Sequence, residues 1–526
     1  MRVFEGMRVE MAELLGLPGV EVVAAEREAD GSLRVYARTA EGAVCCPGCG
    51  AEACRMKELV TQELRHLVVA PMRVILRKER WWCDRGLCPQ RSFTVGPLAV
   101  RGGTVTTSAK ETMGHLIGDW MAPANRVAGA VGVSWHTGHG GFVAVAEAAG
   151  IVVTDADADA VGDAVTCADT DADAVGGDAA VPGGAEDGAA EDACTVTDSP
   201  DTGMPGADSA EDGVAAGRSV SGPLPSVRVL GVDDHRRGRP RYHRDLVTGG
   251  WVEDADRWTS VFVDSTGGHG LLGQTEGRTV ADVVGWLVAC DEAWRGWITH
   301  VTLDMSSVYK SAIRQALPHA ALAVGPFHIS QLANKTVADV RRRVTFEHHG
   351  RRGRADDLEY KIKGMLVRGA EKLTPAARQK LLCALADLGN GGCEIRAAWQ
   401  AKELLRDVLK LSPARTGRAT CRSEVSAALT RFFAYCATTG AAVPEVVTLA
   451  ETISKWRDEI ATAVLHGLSN AASEGINRLI KLVYRIAFGM TNVGNQLRRA
   501  RYVASRKTRP LWLQSVTVNR ELPVAA

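Results

Sequence analysis

The sequence predicts a multidomain α+β protein: a small cysteine-bearing module, then short helices, then an α/β core interrupted by an all-helical stretch. Three observations carry this expectation. Two cysteine pairs, Cys46/Cys49 and Cys83/Cys88, bracket a strand-rich spacer. Apolar runs at 227–232 and 297–303 each lead straight into aspartate, with an amphipathic helical pattern between them. In residues 469–502, helical spacing puts Glu474, Arg478, Lys481 and Arg485 on one face. Ile476, Leu479, Ile480, Val483 and Ile486 take the other side, and Gly489 is the expected stop.

Length and composition bound the rest. A chain of 526 residues, 46% apolar, has room for two to four domains with real cores. Its formal net charge of zero hides a separation: residues 151–226 hold 17 acidic residues and one Arg, a net of −16, so the remainder carries +16. A basic body suits a nucleic-acid partner. The first 25 residues lack the continuous apolar core of a signal peptide, and no run of about 18 apolar residues suggests a membrane span. Thirteen cysteines, an odd number over a long chain, do not read as a disulfide framework, so the cytoplasm is the expected compartment.

Residues 1–100 form the expected first module, with a strand at 32–37. Cys46-Pro47-Gly48-Cys49 is a knuckle whose Pro-Gly turns both thiolates towards one ion, and Cys83 and Cys88 supply a second pair. Four thiolates in two short pairs suit a structural zinc site, with Cys45 and Cys54 as competitors for a ligand place. Residues 101–150 read as short helices. Within them 126–137 has helix-turn-helix form: Ala128 in the first helix, Gly132 at the turn, and Ser134 capping a second helix. Gly138, Gly140 and Gly141 predict that this second helix is short. Residues 151–226 have no aromatic residue and too little apolar surface to offset their ordering entropy, so they are expected to be a disordered acidic linker.

Residues 227–335 carry the first part of the core. Strand 227–232 ends on Asp233-Asp234, Val261–Asp264 follows as a strand, 279–295 as one helix, and 297–303 as a strand ending on Asp304. Strand, strand, helix, strand with carboxylates at the tips is what an RNase H-like core needs. There two divalent ions about 4 Å apart flank a phosphodiester, and hard carboxylate oxygens suit magnesium or manganese. Residues 336–465 read as a helical insertion bearing Arg341, Arg342 and Arg343 and, after His348-His349, Arg351, Arg352 and Arg354. Phosphate contact is the expected role of these arginines. Residues 466–515 return to the core with the Glu474 helix.

That last segment resembles the C-terminal signature of the ISL-three family of bacterial insertion-sequence transposases. The matching positions are Ser469-Asn470, Glu474-Gly475, Asn477, Ile480-Lys481, Arg485, Ala487-Phe488-Gly489, Asn492-Val493 and Asn495. Gly231-Val232-Asp233 with the basic follow-on 236–242, Val301 to Met305, and Cys88-Pro89 to Phe93 are similar to further family patterns. The family usually has an Asp two residues before its Phe-His; here that place is Gly325, ahead of Phe327-His328.

The resemblance implies a DDE triad of Asp233, Asp304 and Glu474 holding magnesium or manganese, with Asp234 as rival for the first place. It implies double-stranded DNA as partner, recognised at element ends by the zinc and helix-turn-helix regions. Arg236, Arg237, Arg341, Arg342, Arg343, Arg478, Lys481 and Arg485 would contact it. Joining two ends implies at least a dimer. The rival readings are a catalytically silent DNA-binding regulator and a metal-dependent nuclease without strand transfer.

Overall fold

A computed structural model describes Ala12 and residues 15–505, apart from 29–32, 41–43, 68–70, 96–97, 99–102, 155–217, 239–241, 254–257, 267 and 489. The expected helix stop at Gly489 and most of the acidic linker therefore lie outside the described residues. Among the described residues no helix is long and apolar enough to cross a membrane.

Five strands build the first module: β1 (Val20–Arg27), β2 (Leu33–Thr39), β3 (Met56–Leu67), β4 (Pro71–Trp82) and β5 (Ser92–Thr94). They order as β1-β2-β4-β3 with β5 on β4, and β2 and β4 run parallel. Alternating apolar residues (Val35, Leu64, Val74, Leu76) fill the core beneath the sheet.

Three helices follow: α1 (Thr107–Gly118), α2 (Ala124–Val131) and α3 (Trp135–Ala148). Gly132 ends α2 at φ 74°, and the Ser134 hydroxyl accepts the Thr137 N–H at 3.2 Å to start α3. A helix, a turn at Gly132 and a second helix thus stand at these positions, but α3 has 14 residues and is not short. Its glycines serve packing: a Cβ at Gly138 would come within 3.0 Å of the Ala128 Cβ, and one at Gly141 would strike the Lys110 carbonyl. Close helix–helix approach outweighs the propensity cost of about 1 kcal/mol per glycine.

The second sheet has seven strands: β6 (Val152–Thr154), β7 (Ser219–Ser221), β8 (Val229–Arg236), β11 (Trp258–Asp264), β12 (Leu271–Glu276), β13 (His300–Leu303) and β14 (Ala321–Val324). A separate hairpin pairs β9 (Tyr242–Arg244) with β10 (Trp251–Glu253). The spatial order is β14-β13-β8-β11-β12-β7-β6, with β8, β11 and β12 antiparallel and β13 parallel to both β8 and β14.

Four expectations change here. Both ends of the stretch 151–226 are strands and not linker: β6 pairs with β7, and Val220 is fully buried. Asp233 and Asp234 are not at a strand tip, since β8 continues to Arg236. The single helix at 279–295 is two, α4 (Val280–Ala289) and α5 (Glu292–Trp297), because Asp291 caps a new start by accepting the Trp294 N–H at 3.0 Å. Trp297 consequently ends a helix and does not begin β13.

Helix α6 (Ser307–Ala316) joins α4 on one face of the sheet, where Val232, Phe262 and Leu272 meet Val283, Trp286 and Ile313. Phe262 and Trp286 stack with ring centroids 3.8 Å apart. Next comes the long helix α7 (Pro326–His349), then α8 (Leu358–Lys361), α9 (Lys363–Val367), α10 (Pro375–Asp387), α11 (Gly389–Lys410), α12 (Pro413–Thr416), α13 (Arg422–Ala437), α14 (Pro444–Lys455) and α15 (Arg457–His466). Val324 of β14, Val337 of α7 and Ile460 of α15 belong to one continuous core, so this helical stretch shares the sheet's interior. Helices α16 (Ala471–Ile486) and α17 (Val493–Ala504) cover the opposite face, with Ile480 and Ala500 against Val261, Val263 and Leu271.

Candidate active site

Strand alternation decides what faces what. Leu230 and Val232 belong to the core under α4 and α6, so Gly231 and Asp233 face α16, and Asp234 returns to the α6 side. There the Tyr309 hydroxyl donates to Asp234 Oδ2 at 2.8 Å. Asp234, the rival first ligand, is thereby held on the other face. The Thr302↔Gly231 register of the parallel pair β13–β8, extended two residues along both chains, brings Asp304 nearly level with Asp233.

Glu474 reaches the same edge because α16 sits tightly on β8. A Cβ at Gly231 would collide with the Ser473 and Ser265 hydroxyls, so the glycine before Val232-Asp233 is a docking notch. One turn on from Glu474, the Asn477 amide donates to the Asp234 carbonyl at 3.1 Å. His328, in the first turn of α7, lies with Nε2 3.8 Å from Glu474 Oε1.

The electrostatics match a convergence of acids. Burial, then the charges of Asp304, Asp234 and Glu474, push Asp233 up to about 7 against the pull of the Asp234 N–H. Burial, then Asp234, pushes Asp304 up to about 7 as well. Asp304 Oδ1 is buried without a hydrogen-bond partner, as is His328 Nε2. A buried carboxylate oxygen with no donor, beside other raised carboxyls, fits a hard divalent cation.

The thiolate site is more compact. Cys46 and Cys88 Sγ are 3.8 Å apart, Cys49 and Cys83 Sγ 3.6 Å, and all four lie within 4.8 Å of one another. Sulfurs at about 2.3 Å from a tetrahedral zinc would sit roughly 3.8 Å apart. Gly48 allows this, since a Cβ there would come within 3.0 Å of Gln90 and 3.3 Å of Cys88 Sγ. Cys45 and Cys54 are exposed and outside the cluster.

Residues 251–500 match a family profile described as Transposase, the DDE type of the ISL-three group. That stretch is similar to ISL-three-family transposases. It contains Asp304 and Glu474, while Asp233 lies ahead of it. The chain is 26% identical over 254 residues to a protein named "Transposase for insertion sequence element IS1557" from Mycobacterium tuberculosis strain CDC 1551 / Oshkosh, with 44% of this chain and 53% of that protein covered. The counterpart from strain ATCC 25618 / H37Rv gives the same figures. The chain thus spans about half the length of the curated relatives it matches. A chain of the Drosophila P element transposase strand transfer complex overlaps at a TM-score of 0.28 and 10% identity, covering 53% of this chain and 78% of that one. A likeness of that size carries no argument about fold.

Within and around the transposase segment, the basic residues divide. Arg478, Lys481 and Arg485 are exposed along α16 in one row with Glu474. Arg341 and Arg342 line a cavity of about 520 Å³ with Arg351, Arg352, Phe346 and Tyr360. Two expected DNA contacts are instead committed internally. Arg237 is 7% exposed and pairs with Glu276 at 2.6 Å. Arg343 bridges Glu445 at 2.7 Å, Glu394 at 2.7 Å and Glu347 at 3.1 Å, tying helices of the insertion together. Arg236 lies with its guanidinium 5.8 Å from the Trp258 ring.

Sequence reasoning missed His328, Asn477 and Tyr309 as members of this neighbourhood. The fixed Phe327-His328 pair was the available signal for the first. At Gly325 a Cβ would lie 3.0 Å from the Cβ of Asn470, so the place of the family's usual Asp abuts a buried amide.

Proposed function

We propose that this chain is a DNA transposase that binds the terminal inverted repeats of an insertion sequence and carries out metal-dependent strand cleavage and strand transfer. What supports the proposal is that Asp233 on β8 feels the charges of Asp304, just past β13, and of Glu474 on α16, beside the Gly231 notch where α16 packs on β8. The strand order, three antiparallel strands followed by two parallel ones, supports an RNase H-like core.

Asp233, Asp304 and Glu474 would hold magnesium or manganese, which when bound polarises the phosphate and lowers the pKa of the attacking water or 3′-hydroxyl. The protein supplies position. Asp233 and Asp304 stand on a packed sheet, and Glu474 is set against them by the Gly231 notch and the Asn477 hydrogen bond. The exposed row Arg478, Lys481 and Arg485, about 10 Å long at 1.5 Å per residue, would hold the DNA backbone beside Glu474. The four thiolates would hold a structural zinc, and the α2–α3 pair would contribute to end recognition as a helix-turn-helix. A dimer or larger assembly would bring two ends together.

The test is Asp304→Asn, assayed separately for end binding, end cleavage and strand transfer on duplexes carrying the element ends. The expected result is loss of both chemical steps with binding nearly intact. Retained cleavage removes Asp304 from the site. Cleavage without strand transfer by the parent protein would make it a nuclease.

A further inference from the structure

The insertion contains a cluster that the carboxylate site and the thiolate site leave unused. His348 and His349 close α7, and Glu359 follows in the short helix α8. His348 Nδ1 lies 3.0 Å from Glu359 Oε1, and His349 Nε2 lies 3.4 Å from Glu359 Oε2. One ligand atom from each residue falls within 4.8 Å of the other two. The Glu359 side chain is only 1% exposed, whereas the imidazoles are 41% and 32% exposed, so the cluster has a buried floor and a side open to solvent.

We propose that His348, His349 and Glu359 form a second zinc-class cation site, distinct from both the thiolates and the catalytic carboxylates. Two imidazoles and a carboxylate are the borderline donors that zinc selects. Nitrogens and oxygens about 2.0–2.2 Å from a tetrahedral ion stand roughly 3.4 Å apart, close to the observed separations. Three protein ligands leave the fourth position to water on the exposed side.

A second carboxylate lies beside the cluster. Asp357 Oδ1 is 3.8 Å from His349 Nε2, and Asp357 is itself gripped by Arg351 through two bonds of 2.8 and 2.9 Å and by the Arg354 N–H at 2.5 Å. A carboxylate held this firmly adds a fixed negative charge beside the cluster, which favours a cation there. The ion would therefore join the end of α7 to α8 across the arginine turn 351–354, and so fix one wall of the cavity that Arg341 and Arg342 line. The site does not depend on the chain being a transposase.

The test uses the full-length protein equilibrated with zinc and then freed of loose metal. About two zinc per chain are expected, with about one lost in Glu359→Gln and in the double variant His348→Asn/His349→Asn. Cobalt substitution separates the sites: the thiolate-to-cobalt charge-transfer band should persist in Glu359→Gln, while the weaker absorption of nitrogen- and oxygen-bound cobalt disappears. That persisting band also reports that the variant is folded, and His348→Asn alone is the milder check. Zinc should slow tryptic cleavage after Arg351, Arg352 and Arg354 at least tenfold in the parent and leave the rate unchanged in Glu359→Gln. Equal zinc content in the parent and both variants, or cleavage rates indifferent to zinc in the parent, would overturn the proposal.

Discussion

Replacing Asp304 with Asn should make the metal-free protein more stable at pH 8, although the same change is expected to abolish its chemistry. Asp304 and Asp233 both rise from an ordinary 3.8 to about 7 in the folded chain. A carboxyl whose folded pKa is above its unfolded value stabilises the fold fully only below the unfolded value. That contribution is lost as pH climbs through the folded one, so the penalty builds between about pH 4 and pH 7. The gap corresponds to roughly 4 kcal/mol for one group as a ceiling. Both residues keep partial contact with solvent, and some repulsion is shared with Asp234 and Glu474, so about 1–3 kcal/mol is the expected gain. The assay is denaturant unfolding in EDTA across pH 4 to 8. Parent and variant should coincide near pH 4 and diverge by pH 8. Added magnesium should then restore the parent alone, because only the parent gains binding energy. A variant that is no more stable than the parent at pH 8 would refute the picture of carboxylates crowded in a desolvated edge.

Three further perturbations have definite expected outcomes. Cys46→Ser/Cys49→Ser should lose about one zinc per chain by metal analysis and unfold the first module, since thiolate ligation contributes directly to folding. Deleting residues 156–216 and closing the gap with a short turn should leave the unfolding midpoint nearly unchanged, because Thr154 and Ser219 already pair, with hydroxyls 2.6 Å apart. The same deletion removes the whole net −16 and should tighten DNA binding by about tenfold at low salt, the gain shrinking in a salt titration. Arg501→Met should cost about 2–4 kcal/mol by denaturation, because the buried carbonyl of Leu271 and the part-buried one of Pro223 lose donors at 2.6 and 3.2 Å.

The sequence made β8, β11 and β13 legible because each is an apolar run leading into acid, and it made α16 legible because 3.6-residue periodicity separates its charged and apolar faces. Strands β6 and β7 escaped notice because each has three residues and they flank a low-complexity stretch, leaving no period to read. Asp233 could not be told from Asp234 until pairing with β11 and β13 fixed which face each took. Arg237 and Arg343 looked like DNA contacts because their acids are distant in the chain: Glu276 lies 39 residues away and Glu445 102. Composition counts charges but does not say which are already matched in the fold.

Helix α17 has a consequence for the timing of assembly. Its Arg499 donates to the Ala122 carbonyl, 377 residues earlier, Arg501 reaches back 230 residues to Leu271, and the Tyr502 ring meets Phe142 edge-on at 5.4 Å. One late segment thus ties α1–α3 to the seven-stranded sheet just after α16 has delivered Glu474. Contacts so distant in sequence form slowly and only once their last partner has been synthesised. A nascent chain that has passed Asp304 but not Glu474 holds two acids of the candidate triad on an uncovered sheet face, and until Tyr502 is added its helical module is not yet fastened. The packing of the helical module and of the sheet face would therefore be completed together, at the end of translation of α17.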